Sequence, residues 1–224
     1  MKPKNAKIDS FNFSSETLED LFMNEDYIIE PVKGIGVFKP QRWLKEFGKS
    51  LTRNIVEAKI LHTSNGLVLP LKRFAVTPQK QTLEFAGLYG YTSQSKLLKS
   101  LLNELYEHIQ SELIVRIDVA IDFKGKIPKR VITALNKSRT SLKYRNTTYS
   151  KTAKEKKTNP HINICIYPKH LKDNLDDEVM RLEFSFRGAY FRGQYQVKHL
   201  DKAILKMQKT IKRFIELEVA IQPL

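Results

Sequence analysis

The stretch that decides the fold is Arg116–Phe123, which reads RIDVAIDF. Apolar and polar residues alternate along it, and two later stretches repeat the pattern: His161–Tyr167 (HINICIY) and Arg181–Arg187 (RLEFSFR). Because successive side chains of a strand point to opposite faces, each stretch sends its apolar residues to one side of a sheet. The sequence therefore predicts three half-buried strands, whose polar side chains share one face if the strands are neighbours.

That shared face would carry acids, arginines, a histidine and a tyrosine. Carboxylates and phosphate oxygens are the ligands that Mg²⁺ or Mn²⁺ prefers, and arginines neutralise phosphate charge. This chemistry favours a metal-assisted phosphoryl-transfer site, although a structural ladder of arginines and carboxylates would look similar. The residues concerned are Arg116, Asp118, Asp122, His161, Asn163, Tyr167, Arg181, Glu183 and Arg187.

The composition favours a polyanionic partner. The chain has 224 residues with 39 Lys and Arg against 24 Asp and Glu, a formal charge of +15. Such an excess is typical of proteins that bind phosphate backbones, although a basic proteome would also produce it. Cys165 is the single cysteine, which excludes an intramolecular disulfide or a cysteine-rich zinc site. No apolar run approaches the roughly 18 residues of a membrane span, so we expect a soluble, cytoplasmic protein without a membrane partner.

The order of patterns along the chain predicts an α+β fold. Residues 1–25 are polar and indicate an N-terminal arm or a short helix, and residues 26–224 are expected to form one domain whose motifs lie within 82–217. Short strands interrupted by helices, without regular βαβ spacing, favour a central, mostly antiparallel sheet flanked by helices. The expected elements are a strand-rich region over 27–91 with helical turns at 40–47, a strand over 141–150, and helices over 93–112, 128–138 and 198–217.

Spacing restricts which acids can share one metal ion. Asp118 and Asp122 are four residues apart, which is about 13 Å along a regular strand. Neighbouring strands lie only about 4.8 Å apart, so Asp118 with Glu183 is the better pair of ligands. Asp122 is then expected not to bind the metal directly, but to support these ligands or to lie nearer to the substrate.

Tyrosine is the expected nucleophile. A tyrosine hydroxyl has a pKa near 10, so it attacks phosphorus well only beside a metal, a base or a cation. Tyr167 ends the second strand, and Lys169 follows it closely enough to supply the cation. His161 is a candidate third ligand, a general base or a plain surface residue. Tyr195, in the pattern Tyr-x-x-Lys, is the rival nucleophile.

Further basic residues are candidates for contact with nucleic acid. Tyr149 lies in a basic strand with Lys143 and Arg145, where its ring could stack on unpaired bases. Lysines recur along one face of the last predicted helix, and they either form a solvated surface or contact a DNA backbone. These lysines are Lys202, Lys206, Lys209 and Lys212.

The order of the motifs resembles the initiators of rolling-circle replication of plasmids and filamentous phages, whose Rep/HUH-endonuclease-like fold is RRM-related. About half of the chain, roughly 82–190, carries the resemblance. In chain order the matching segments are Leu83–Tyr91 with the 93–112 helix, Arg116–Phe123, Thr147–Tyr149, Ile166–Lys169 and Arg181–Arg187.

The resemblance implies a nickase that cuts one origin strand through a tyrosine, leaving a 5′-phosphotyrosine and a free 3′-hydroxyl. It implies Mg²⁺ or Mn²⁺ as cofactor, DNA as a single strand or an origin hairpin, and a host helicase or polymerase as further partners. Two departures are visible. His161–Asn163 stands where many relatives have two histidines, and Pro168 stands where they have aspartate. The metal is then held mainly by carboxylates, or the site is degenerate.

Two other functions fit the same residues. One is a module that binds single-stranded nucleic acid without chemistry, through the aromatic and basic side chains of the sheet face. The other is a transposase-like or relaxase-like strand transferase, which differs from an initiator only in its DNA substrate.

Overall fold

A computed structural model describes residues 4–32, 55–74, 77–138, 140–151, 161–192 and 194–224. The described strands form one sheet. They are β1 Lys4–Ser15, β2 Tyr27–Pro31, β3 Ile55–Thr63, β4 Val68–Phe74, β5 Thr77–Ala86, β6 Leu113–Lys124, β7 Thr140–Tyr144, β8 Thr147–Lys151, β9 Ile162–Pro168, β10 Val179–Arg187 and β11 Val219–Gln222.

In the described ranges, two long α-helices and three shorter ones accompany the sheet. Short 3-10 turns cover Glu19–Phe22 and Val197–His199. Among the described helices, none combines the length and the apolarity that crossing a bilayer requires. The α-helices are α1 Gln94–Ile109, α2 Lys129–Ser138, α3 Lys169–Asp173, α4 Gly188–Phe191 and α5 Leu200–Ile215.

The strand order places the three predicted polar-faced strands side by side. Across the sheet it runs β2-β3-β4-β5-β1-β6-β10-β9-β8-β7, and β11 pairs in parallel with the first residues of β1. The other pairings are antiparallel. The expected α+β class with a central, mostly antiparallel sheet is therefore confirmed.

One face of the sheet carries the hydrophobic core. The apolar alternates of β1 and β10, such as Phe11 and Phe184, are fully buried. The leucine stripe of α1 and the Ala203–Ile215 stripe of α5 pack into the same cluster. Because a helix buries one stripe and a strand one face, these elements form two layers. The polar alternates of the same strands are left on the opposite side of the sheet.

The expectation of a polar N-terminal arm or short helix is wrong for residues 4–15, which form a central strand between β5 and β6. Ala6 and Ile8 form one buried apolar pair and Phe11 and Phe13 another, but a register shift between Ile8 and Ser10 puts the two pairs out of phase. The polar residues Ser10 and Asn12 are buried because they lie on the polar face of the sheet. Their polarity therefore reflects the face that they occupy, not exposure.

Other boundaries also differ from the expectation. The strand expected over 141–150 is a hairpin of β7 and β8, because Arg145 adopts a positive φ of 52° and turns the chain. Strand β11 was not expected, since its four residues are too few to show a period. The helical turns expected at 40–47 lie outside the described residues.

Arg181 holds the polar face together. Its side chain is fully buried, and Nε and Nη2 donate hydrogen bonds to Asp122 at 2.8 and 3.0 Å. Nη1 lies 3.1 Å from Asp9 Oδ1 without hydrogen-bond alignment. The stacked rings of Tyr89 and Tyr91 cover the guanidinium at 4.2 and 5.3 Å. One arginine therefore joins β10 to β6, to β1 and to the loop that follows β5.

We expect Arg181→Met to lower the free energy of unfolding by about 3 kcal/mol, because it leaves the carboxylates of Asp122 and Asp9 buried without a cation. Urea unfolding followed by circular dichroism measures the loss. Arg73→Met is the control, since Arg73 pairs with Glu57 at 2.6 Å while both side chains remain partly exposed. That change should cost about 1 kcal/mol or less. Equal losses in the two variants would contradict a special role for Arg181.

Candidate active site

Four rows of side chains cross the polar face, because directly paired residues of neighbouring strands point to the same side. The rows follow from the pairing of β1, β6, β10, β9 and β8. The first row holds Asn12, Arg116 and Arg187, and the second holds Ser10, Asp118, Ser185 and Asn163. The third row holds Lys7, Ala120, Glu183, Cys165 and Tyr149, and the fourth holds Asp122, Arg181 and Tyr167.

Two carboxylates form the centre of this face. Glu183 pairs with Ala120, so it is a diagonal neighbour of Asp118, at a Cα separation of about 7–8 Å. Asp118 is buried and accepts two hydrogen bonds from Arg116, at 2.9 and 2.6 Å. Within the described chain, no lysine or arginine forms an ion pair with Glu183. Burial and then the charge of Asp118 raise the pKa of Glu183, and the hydrogen bond from Tyr167 and the charge of Lys172 offset this only in part.

Two guanidinium groups lie one or two rows from these acids. Arg187 is directly opposite Arg116 on the neighbouring strand. Asn163 is its hydrogen-bond partner, with the amide oxygen accepting from Nη2 at 2.7 Å when the amide is oriented for that bond. No carboxylate of the described residues forms an ion pair with Arg187. Burial and then the charge of Arg116 lower its pKa. This cation is suited to receive an anion from outside.

Three tyrosines lie on the face, in different environments. The Tyr167 hydroxyl is buried and donates to Glu183 Oε2 at 2.7 Å. Burial and then the charge of Glu183 raise the pKa of Tyr167. Tyr91 donates to Asp122, and burial with this bond raises its pKa to about 12. Tyr149 is 40% exposed and lies in the row of Glu183, separated from it by Cys165. Tyr91 is nearly as exposed, at 36%, but its hydroxyl is engaged by Asp122.

The predicted metal ligands separate into two groups. Asp118 and Glu183 are diagonal neighbours, whereas Asp122 lies two rows from Asp118. Both oxygens of Asp122 accept hydrogen bonds from Arg181, just as both oxygens of Asp118 accept from Arg116. Burial tends to raise the pKa of Asp122, but the bonds from Arg181 and Tyr91 lower it overall. In the described part of the chain, no group of three His, Cys, Asp or Glu side chains could hold a metal.

The acid pair nevertheless fits Mg²⁺ or Mn²⁺. Mg²⁺ is commonly held by one or two carboxylates, with substrate phosphates and water completing the octahedron. Glu183 forms no ion pair within the described chain, and burial and then the charge of Asp118 raise its pKa. A divalent ion is the partner that removes this repulsion.

His161 and Lys169 lie outside this centre. His161 is exposed, and its carbonyl accepts the backbone hydrogen bond of Arg187. It is four residues from Cys165, which places it about 13 Å along the strand from the row of Glu183. Lys169 is buried and pairs with Asp173 at 2.6 Å. The cation beside Tyr167 is instead Lys172, whose Nζ is 5.1 Å from the ring centroid.

Three other predicted residues are not brought to the acid pair. Tyr195 packs against Phe191 and lies 4.9 Å from Nζ of Lys206, on the helix-covered side of the sheet. Lys143 pairs with Thr148, whose partner Ile166 faces the core, so Lys143 lies on the side opposite Tyr149. Arg145 is exposed in the turn between β7 and β8.

Sequence reasoning missed several residues of the face. Asp9 and Asn12 were hidden because β1 was not recognised as a strand. Tyr89 and Tyr91 belong to the segment Gly87–Tyr91, whose two glycines have φ of +90° and +111°. Glycines in this conformation mark a tight turn, which was the one available signal that the tyrosines fold back over the sheet. An open groove of about 780 Å³ lies beside them, between the start of β1 and the loop before β10.

Comparison with known proteins supports the fold. The structure is similar to that of a rolling circle replication initiator protein from Geobacillus stearothermophilus, with a TM-score of 0.51 and 15% sequence identity. The similarity covers 94% of this chain and 85% of that chain. No protein-family model matches the sequence, and no curated protein matches it. At this identity the likeness establishes a shared fold, which is the fold that the motif order implied.

The uncompensated charge of Glu183 leads to a stability prediction. We expect Glu183→Gln to stabilise the protein at pH 7.5 by about 1 kcal/mol, because the amide keeps an acceptor for Tyr167 and removes the repulsion with Asp118. Thermal unfolding in the presence of EDTA measures the change. Glu84→Gln is the matched control on the same face: Glu84 accepts from Lys72 Nζ at 2.8 Å, so its loss should destabilise.

The sign of the pH dependence follows from the raised pKa of Glu183. The folded state holds this proton at pH values where the unfolded chain has released it, so stability falls as pH rises above about 4.3, the ordinary pKa of glutamate. The advantage of Glu183→Gln should therefore shrink as pH falls toward 4. The assignment would be refuted if the variant were less stable than the wild type at pH 7.5. It would also be refuted if the stability difference between the two proteins were the same at all pH values.

Proposed function

We propose that this protein is a replication initiator that nicks one strand of DNA through a tyrosine, assisted by a divalent metal. One observation carries the proposal: two neighbouring carboxylates, Asp118 and Glu183, have a single ion-paired cation between them, Arg116, and lie near the Arg187 guanidinium, which forms no ion pair within the described chain. A phosphodiester bound through a divalent ion would satisfy both, since its oxygens can coordinate the metal and accept hydrogen bonds from arginine. The structural neighbour is a rolling circle replication initiator protein, which supports the same function.

Asp118 and Glu183 would hold the metal. With Mg²⁺ or Mn²⁺ bound there, these residues would hold an ion that could polarise a phosphoryl oxygen and neutralise charge in the transition state. Arg116 keeps Asp118 in place through two hydrogen bonds, and Tyr167 does the same for Glu183. Arg187 binds a phosphate of the same strand, one row beyond Asp118.

Exposure supports Tyr149 as the nucleophile. Tyr167 was the first expectation, but its hydroxyl is buried and its proton is engaged by Glu183. A phosphorus atom must approach the attacking oxygen to about 3 Å in line with the leaving group, which an exposed ring allows and a buried one resists. Cys165, a small side chain, separates Tyr149 from Glu183 in their row. In this arrangement Tyr167 orients Glu183.

The step conserves atoms and charge without any redox partner. The Tyr149 oxygen forms a bond to phosphorus and gives its proton to water. The bond from phosphorus to the 3′ oxygen breaks, and that oxygen takes a proton from water and leaves as a 3′-hydroxyl. The 5′ side of the strand remains as a phosphotyrosine, which conserves the phosphodiester energy for a later rejoining step.

Covalent trapping tests the tyrosines. Each variant is incubated with labelled single-stranded oligonucleotides in Mn²⁺, followed by denaturing electrophoresis. Tyr149→Phe should abolish the adduct, while Tyr167→Phe should retain it at a reduced rate, because the second change removes only a hydrogen bond to Glu183. EDTA and Glu183→Gln should also abolish the adduct. An adduct lost in Tyr167→Phe but kept in Tyr149→Phe would reverse the assignment.

Single-strand binding without any adduct, unchanged by EDTA, would replace the proposal with a non-catalytic binding module. A peptide map of the labelled product names the tyrosine directly. The substrate sequence that supports cutting would separate an initiator from a transposase or relaxase.

The role of Arg187 has its own test. Arg187→Met should weaken binding of a short single strand by about tenfold, the effect expected for one charge-assisted hydrogen bond to phosphate. Fluorescence anisotropy at 0.1 M salt measures the change. Arg130→Met, at the start of α2, is the control and should leave the affinity within about twofold. Equal affinities of the Arg187 variant and the wild type would place the phosphate elsewhere.

A further inference from the structure

Helix α5 carries a row of cations along its outer side. Lys202, Lys209 and Arg213 are exposed, and Lys206 lies between them. Their spacing of three to four residues places them on one stripe of the helix. From Lys202 to Arg213 the stripe is about 16 Å long, at 1.5 Å per residue. A shallow groove of about 350 Å³ follows it and also includes Leu205 and Thr210.

These cations lack acidic partners. Within the part of the chain that the structure describes, no carboxylate forms an ion pair with Lys202, Lys206, Lys209 or Arg213. Elsewhere on α5 the positive charge is compensated, since Lys212 pairs with Glu218. Burial and then the nearby charge of Arg192 lower the pKa of Lys206, which identifies Arg192 as a further cation close to the row. A solvated helix face normally intersperses both signs, so this row has the pattern of a surface that binds an anion.

The row faces away from the acid pair. The opposite stripe of α5, including Ala203, Met207 and Ile211, is buried against the helix-covered face of the sheet. Asp118 and Glu183 lie on the other face. The cations of α5 therefore cannot contact the phosphate that is cut, and they do not belong to the site described above.

We infer that the Lys202–Arg213 side of α5 is a second DNA surface, which binds the phosphate backbone of a duplex. Because each strand of B-DNA carries one phosphate for about every 3.4 Å of axis, a cation row of about 16 Å is long enough to contact several phosphates of a duplex. The helix holds its cations at fixed positions, as a regular backbone requires. This surface goes beyond the nicking activity and rests on the proposed function only in assuming that DNA is the partner.

A duplex fits this surface better than a single strand. Proteins that hold single strands stack the bases on exposed aromatic rings. The exposed tyrosines of the described chain, Tyr91 and Tyr149, lie on the other face of the sheet. Beside α5, the rings of Tyr190 and Tyr195 are instead covered by Lys206, at 4.5 and 4.9 Å. Charge without accessible stacking surface supports contact with the backbone alone.

The test compares two triple variants of equal charge. The first is Lys202→Gln, Lys209→Gln and Arg213→Gln, which keeps good helix formers at exposed positions. Lys206 is left unchanged because its Nζ donates to the Tyr190 carbonyl at 2.9 Å. The control is Lys96→Gln, Lys126→Gln and Lys129→Gln, three exposed lysines on α1 and before or at the start of α2. Each is titrated by fluorescence anisotropy with a blunt 20-base-pair duplex and with a 20-residue oligothymidine, over a range of salt.

We expect the α5 variant to bind the duplex about tenfold or more weakly, and the slope of log K against log salt to fall by about 2.7, or 0.9 for each lost contact. Its affinity for oligothymidine should match that of the control. Equal duplex affinities of the two triple variants would overturn the inference, as would a loss confined to oligothymidine. Adduct formation on a short single strand, measured in parallel, reports on the other face. Its absence from the wild type would refute the nicking function and leave the duplex result standing.

Discussion

Arg181 is buried completely, and side chains from three separate parts of the chain hold its guanidinium. Asp122 on β6 accepts two hydrogen bonds, Asp9 on β1 supplies a second negative charge, and Tyr89 with Tyr91 cover the plane. A buried guanidinium has a large desolvation cost, so it tolerates few alternatives to this set of partners. The register of β6 against β10 is thereby specified by charge as well as by the apolar face. A slip of one residue would send Arg181 into the hydrophobic core.

The rows of the polar face inherit that register, and their charges are not balanced equally. Arg181 has two acids and Arg116 has one, whereas Glu183 has a tyrosine and Arg187 has an amide. The fold therefore stabilises one end of the face and leaves an acid and a cation uncompensated toward the other. Such an imbalance costs stability in the free protein, and it is typical of sites that recover the cost when a ligand binds. A phosphate bound together with a metal, as proposed above, would complement the charges of both residues.

The alternation of three short stretches was sufficient to predict the fold class and the shared polar face. It also placed Asp118 beside Glu183, because strand geometry restricts which acids can meet. The alternation did not reveal that Asp122 forms an ion pair with Arg181, because Arg181 is 59 residues away in the sequence. Strand β1 was not predicted because its polar alternates, Ser10 and Asn12, are buried. In a sequence, a buried polar residue cannot be distinguished from an exposed one. Which of Lys169 and Lys172 lies beside Tyr167 depends on which side of the short helix α3 faces that tyrosine. The two-residue alternation of a strand carries no information about the orientation of a helix.

The layered architecture limits how one DNA molecule can use both faces. The cations of α5 and the acid pair are separated by the sheet and by a helix of about 10–12 Å diameter. A duplex is stiff over about 150 base pairs, so a continuous duplex would have to bend sharply around the sheet edge to touch both. A single strand has no such stiffness. If duplex DNA lies on α5, the strand that reaches Asp118 and Glu183 must therefore have left the helix, as it does in an extruded hairpin or a melted segment. The sheet itself would then separate duplex recognition from strand cleavage.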